Sequence, residues 1–382
     1  MTKIKTSILA FLILIWAITN IAATTSSPAD GRVFNLGLMH SEIDYLNQNT
    51  NKTTQEAIEK LKDGKIPIFG EWLLSSYYGD ASNYFKMSMG DKSYEPYSLR
   101  VAYPALAGTI ASNVVSILGL EDKKFSIYSF TFIVLNYVCF FFSVLVAFKI
   151  LRSFGVNEFP AFTLSFIPFI QLGYLKTLPS PMVDAPAVLL ALVFLLLPIN
   201  KRIISATVIS VLMILTKDSL IIFGIFPFIL FLINKRNKLI LPIIVMPCTF
   251  IGLRLFSEVD PLSVQYGWEI SKGDIRLNYV LSHFGSIRGF TNWTIGLWYS
   301  FGPFLFIFLL GLKSPKRNIK LITIILFVAT LLFIFAQVML ASRVARTLTP
   351  ISIPVILFSL TLIYEWYNSR EVGEQRINVG KL

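Results

Sequence analysis

Apolar stretches recur along this chain at a length that few folds tolerate. A helix needs roughly 20 apolar residues, about 17–25, to cross a bilayer. Residues 5–23, 126–151, 158–175, 184–199, 203–216, 218–233, 238–256, 293–312, 319–341 and 347–366 read as candidates. Continuous apolar runs meet the backbone hydrogen-bonding demand of a water-free core as helices. The expectation is an all-α polytopic membrane protein with about ten transmembrane helices. Composition agrees: 54% of the 382 residues are hydrophobic and 15% are charged. Mean hydropathy is +0.66, more apolar surface than a water-soluble domain buries.

The same numbers exclude other classes. The two cysteines, Cys139 and Cys248, both lie in apolar runs, which argues against a disulfide framework. With only His40 and His283 in the chain, a histidine-rich metal site is not expected. The net charge of +12 would suit nucleic acid, but the basic residues sit mostly between apolar spans, where membrane topology explains them. No nucleic-acid partner is expected.

Orientation follows from those basic residues. Lys3 and Lys5 precede the first span. Arg152, the pair Lys201 and Arg202, the group Lys235, Arg236 and Lys238, and the group Lys313, Lys316, Arg317 and Lys320 fall in short loops, and Arg370 and Arg376 follow the last span. All share one side if segment 103–119 does not cross, and the positive-inside rule makes that side cytoplasmic. Segment 103–119 carries Leu106, Ile110, Val114, Ile117 and Leu118 at helical spacing, with Gly108, Ser112, Asn113 and Ser116 elsewhere around it. That pattern reads as an amphipathic helix lying in the outer interface.

The chain divides accordingly. Residues 1–24 form an N-terminal transmembrane anchor or a signal segment. The basic start and following small residues suit a signal, and the longer apolar stretch favours an anchor. Residues 25–125 are the first external loop with interfacial helices, and its "SEIDYLNQNTNKTTQEAIEKLKDG" reads as a surface helix pair or helix-turn-helix. Residues 126–366 are the transmembrane helical bundle, and 367–382 a polar cytoplasmic tail. A second outer loop, about 257–292, holds Tyr266, Trp268, Tyr279 and His283.

The chemistry gathers on the external side. Ionisable groups near hydrocarbon are expensive and mark functional sites. From Ile203 to Ile233 the chain must go out and return between two basic loops. Each arm is about 15 residues, roughly 22 Å of helix against a core of about 30 Å. The tip, Lys217 and Asp218, should therefore sit below the outer headgroups, in a cavity or as a local pair capping the turn. Asp184 stands where an external loop with Pro179 and Pro181 enters the preceding span, 184–199, which is also short; it reads either as a helix cap or as a second group in that cavity. Arg343 and Arg346 open the last span three residues apart, suited to phosphate or to interfacial snorkelling. In the first loop, Asp80, Tyr84, Asp91 and Arg100 precede the interfacial helix. A carboxylate there can act as general base on an acceptor hydroxyl, with a cation to stabilise a departing phosphate. Asp91, in "GDKS", also reads as ordinary turn chemistry.

These residues carry a resemblance. "GDASNYFKMSMG…EPYSLRVAYPALAG", with Pro96, Arg100 and Pro104 four apart, resembles the first external loop of bacterial multi-spanning glycosyltransferases of the GT-C class. "MVDAPAVLLALVFLLL", "LMILTKDSLII" and "ASRVARTLTPISIPVIL" are similar to later motifs of that class. The resemblance implies inverting transfer of a sugar from a polyprenyl-phosphate-linked donor to a glycan, lipid or protein acceptor, at the outer face of the bacterial cytoplasmic membrane. It implies Asp80 as base, and Lys217 and Arg346, with Arg343, as holders of the lipid phosphate. Tyr84, Arg100, Asp184 and Asp218 complete the expected substrate site. The class often pairs two adjacent carboxylates where Gly79 precedes Asp80 here. No cofactor is identified, and metal dependence is open: Asp80, Asp91, Asp184 and Asp218 offer oxygen ligands for a divalent metal. The alternatives are a lipid-linked sugar transporter or flippase, kept open by mid-span Asn136, Gln171 and Gln337, and a polysaccharide polymerase.

Overall fold

The computed structural model describes residues 11–21, 79–91, 99–121, 124–175, 177–234, 237–257, 287–304 and 344–379, with isolated positions at 321, 323, 324 and 328. The expected helix pair at 41–64, the outer loop residues Tyr266, Trp268, Tyr279 and His283, Gln337, Arg343, the end of 293–312 from 305 on and most of 319–341 lie outside the described residues.

Among the described residues every regular element is helical. In chain order they are α1 (Phe11–Ile21), α2 (Gly79–Ser88), α3 (Ala102–Leu118), α4 (Lys124–Ser153), α5 (Glu158–Phe166), α6 (Leu172–Leu175), α7 (Asp184–Ile199), α8 (Ile203–Thr216), α9 (Ile225–Asn234), α10 (Ile240–Phe256), α11 (Ile287–Phe301) and α12 (Val344–Val379). A 3-10 turn at Ile167–Ile170 extends α5, and another at Asp218–Gly224 leads into α9. Three stretches are long and apolar enough to cross a membrane: Ile127–Ser153, Asn237–Phe256 and Thr349–Asn368. They coincide with three of the expected spans, and the protein is an all-helical, membrane-embedded one. Phe11–Ile21, Glu158–Ile170, Asp184–Ile199, Ile203–Thr216 and Asp218–Leu232 form shorter apolar helices at five more. The stretch expected as a polar tail is helical as far as Val379, as the end of α12.

The core is a stack of α4, α7, α8 and α10, closed by α12 against α7. Its centre is aromatic and aliphatic: Phe194, Leu195, Met213, Phe226 and Phe358 are fully buried. Phe358 meets Phe154 edge-on, with ring centroids 5.4 Å apart. Such contacts add specificity to apolar burial. The first helix joins this body. Trp16 is fully buried, donates its Nε1 proton to the Trp298 carbonyl at 2.9 Å, and packs edge-on against Phe304. Gly302 permits the approach, because any Cβ there would collide with the Trp16 indole.

The first-loop helices pack on the same body. α3 turns a stripe of Tyr103, Pro104, Ala107, Gly108, Ala111 and Val115 inward, against α2 and α4. Leu106, Ile110, Ile117 and Leu118 face outward, as expected for a helix whose apolar residues meet lipid. At Gly108 the Ser88 carbonyl sits where a Cβ would be. Small residues therefore set how closely α2 and α3 approach, and that approach delivers the end of the first loop to the bundle.

Candidate functional site

The site forms where chain breaks bring polar side chains to one end of α8. The helix stops at Thr216, and Lys217 is extended, at φ −156° and ψ 103°. Extended backbone sends successive side chains in opposite directions. Lys217 and Asp218, adjacent in sequence, thus reach different partners. Lys217 Nζ donates to Asp184 Oδ1 at 2.7 Å. Asp218 accepts from Arg100 Nε through Oδ1 at 3.2 Å and from Arg254 Nη2 through Oδ2, also at 3.2 Å. Arg100 Nη1 donates to the Tyr84 hydroxyl at 2.5 Å. The Arg254 guanidinium lies 4.5 Å above the Phe250 ring, a favourable cation–π arrangement.

Each member has a local reason for its position. Asp184 opens α7, but its N-cap is Val183 and no side-chain cap bond forms. Its carboxylate is turned to Lys217 instead. Arg100 stands just before α3, whose close packing on α2 places it beside Tyr84. Arg254 occupies the last turn of α10, level with the 3-10 turn that begins at Asp218.

All five ionic side chains are buried: Asp184 is 0% exposed, Asp218 1%, Arg100 and Arg254 3%, and Lys217 6%. Removing such charges from water is expensive, and the pairing repays this only with good geometry. Cations outnumber carboxylates three to two among these described side chains. The arrangement sets charges of both signs in a dry setting, where electrostatic interactions are stronger than in water. On α2, burial pulls the pKa of the Lys86 ammonium below its ordinary value, opposed by the nearby Asp91 carboxylate.

Of the residues singled out in the sequence, Tyr84, Arg100, Asp184, Lys217 and Asp218 come together. Asp80 lies in the first turn of α2, one helical turn before Tyr84, and Arg346 in the first turn of α12. Their side chains, like Arg343, lie outside the described residues. Asp91 is not in the cluster; its backbone N–H closes α2 by donating to the Lys86 carbonyl at 3.0 Å. Sequence reasoning missed Arg254, whose signal was a lone cation near the end of the apolar run "ILPIIVMPCTFIGLRLF". Among the described residues no three or more His, Cys, Asp or Glu side chains converge as metal ligands.

A second feature lies on α4. An apolar groove of about 570 Å³ runs along α4, lined by Phe130, Val134, Tyr137, Phe141 and Phe142, with Pro179 on its rim. Pro179 belongs to the turn that delivers Asp184.

Compared with family models, curated proteins and solved structures, the chain finds no match. The functional reading rests on the chemistry of the site.

Proposed function

We propose that this chain is a multi-pass membrane glycosyltransferase. It moves a sugar from a polyprenyl-phosphate-linked donor to an envelope acceptor, at the outer face of the bacterial cytoplasmic membrane. The observation that carries this reading is the buried convergence of Arg100, Lys217 and Arg254 with Asp184 and Asp218, where the first loop meets the bundle. Lys201 and Arg202 lie in the turn at the other end of α8, about 21 Å away at 1.5 Å per residue. With that basic turn at the cytoplasmic headgroups, the site lies below the opposite surface of a core about 30 Å thick. A lipid-borne phosphate reaches such a depth; a nucleotide sugar, confined to the cytoplasm, does not.

In the proposed reaction the Asp80 carboxylate takes the proton of the acceptor hydroxyl. The acceptor oxygen forms a bond to the anomeric carbon as the bond from that carbon to the donor phosphate oxygen breaks, with inversion. The electron pair leaves with the phosphate, and Lys217, Arg100 and Arg346, with Arg343, stabilise the charge it gains. Tyr84, Asp184 and Asp218 hold the two nearest cations in place, and the α4 groove offers apolar surface to the lipid tail.

A transporter or flippase for the same lipid requires polar side chains along a path. Mid-span Asn136 and Gln171 are instead bonded within the protein, Asn136 to backbone carbonyls and Gln171 to Pro168 and Ser352. This favours chemistry over passage.

The test compares the parent with Asp80→Asn in nanodiscs, using radiolabelled polyprenyl-phosphate sugars and following release of the lipid phosphate. The proposal expects turnover by the parent and a loss of about 10²-fold or more in the variant, the scale of a general base. A variant as active as the parent removes Asp80 from the reaction. Flipping of the lipid in proteoliposomes without cleavage overturns the enzyme reading.

A further inference from the structure

Asn136 stands in the middle of α4, the longest of the described stretches fit to cross a membrane, and is fully buried. Its amide nitrogen has two protons and faces three carbonyls: Ser180 at 2.7 Å, Leu178 at 3.3 Å and Thr177 at 3.4 Å. The amide oxygen accepts from the Tyr103 hydroxyl at 2.7 Å. Each of these partners leads to the charged site. The carbonyls belong to the turn that ends at Asp184, and Tyr103 lies three residues beyond Arg100. A single side chain therefore joins the segment that carries Asp184 to the segment that carries Arg100.

We infer that Asn136 is a positioning residue of the charged site, fixing the Asp184–Lys217 pair relative to Arg100. The physical argument is one of alternatives. A loop rich in carbonyls at membrane depth must find donors inside the protein, and this loop, interrupted by Pro179 and Pro181, forms no helix of its own across 177–183. An amide anchored on a rigid helix supplies those donors and selects one conformation of the turn. Removing it takes the donor from the Leu178 carbonyl and one donor each from Ser180 and Thr177, which keep the Met182 N–H and the Ser180 hydroxyl; the turn then loses its tie to α4 and is held by its own short-range bonds alone. Asp184, at the turn's end, then moves away from Lys217. The effect on catalysis rests on the proposed function; the effect on the geometry of the site does not.

The test therefore reads the site without needing turnover. Lys217 is 6% exposed, and its ammonium is held by Asp184, so an amine-acylating reagent should modify it slowly in detergent. Peptide mass spectrometry measures that rate in the parent, in Asn136→Ala and in Tyr103→Phe, which deletes only the hydroxyl proton given to Asn136 and keeps the ring. Trp16→Phe, which loses the bond to the Trp298 carbonyl, serves as a control for general loosening. The expected result is Lys217 labelling at least tenfold faster in Asn136→Ala, a smaller rise in Tyr103→Phe, and no rise in Trp16→Phe. Should Asn136→Ala not fold, Tyr103→Phe against the control decides alone. Unchanged protection of Lys217, or an equal rise in the control, overturns the inference. Where a donor is turned over, kcat should fall in Tyr103→Phe with little change in KM.

Discussion

Asp218→Asn tests the ionic network most sharply. The substitution keeps size and one acceptor oxygen but removes the carboxylate charge that both Arg100 and Arg254 meet. Both guanidiniums are 3% exposed, so water cannot replace the lost charge. Breaking a buried pair by removing one partner destabilises by about 3–5 kcal/mol, whereas an exposed pair contributes about 0–1 kcal/mol. Against a typical total of about 5–15 kcal/mol, the loss is a large fraction of the fold's stability. The Phe250 ring under Arg254 offsets part of it, which places the expectation near the lower end of the range. The assay is equilibrium unfolding in mixed micelles with tryptophan fluorescence. Replacing the trio together, as Arg100→Met, Asp218→Leu and Arg254→Met, should recover most of the loss, because apolar groups of similar volume carry no desolvation penalty. A loss under about 1 kcal/mol for Asp218→Asn, the value of an exposed pair, refutes the buried-network reasoning.

Two further outcomes follow from packing and burial. Gly302→Ala drives a methyl group into the Trp16 indole at a residue with φ +50°, so stability should fall by about 1–3 kcal/mol; a neutral result in thermal unfolding would show that α1 does not pack tightly there. Lys86→Met tests the lowered pKa on α2. In the fold the charged form is disfavoured relative to the unfolded chain, whose lysine titrates near 10.5. Below the folded pKa the penalty is present in full. It is relieved as pH rises through that value toward 10.5, where the unfolded state binds more protons. The parent should therefore gain stability over that alkaline window relative to Lys86→Met, and the variant should be the more stable of the two at neutral pH. Parallel pH profiles would contradict this.

How much of this was legible beforehand depended on whether the signal was local. The runs 126–151, 238–256 and 347–366 were readable as spans because apolar length is a property of a contiguous segment. The break at Lys217 was readable from arm length, and the helix does end at Thr216. Their partners were not readable. Whether the two pair with each other or diverge is set by the extended backbone at Lys217, and Arg254 and Arg100 arrive from 36 and 118 residues away. On 103–119 the period suggested an apolar face and a polar face. The face that packs is neither, but a stripe of small residues and Tyr103, because close approach to α2 selects for size rather than polarity. Asn136 looked like a possible path residue for transport, since a lone amide in an apolar helix carries no record of which carbonyls it meets.

The central claim is that the buried cations form a phosphate site for a lipid-linked substrate. Its most direct measurement is binding of a short-chain polyprenyl phosphate to the parent in nanodiscs and to the double variant Lys217→Met, Asp184→Asn. The pair is removed together so that no lone charge stays buried, and unfolding measurements confirm that the variant is folded. The account predicts binding to the parent and an affinity at least tenfold weaker in the variant, the equivalent of about 1.4 kcal/mol. Equal affinity in the two proteins, or no binding to the parent, contradicts it.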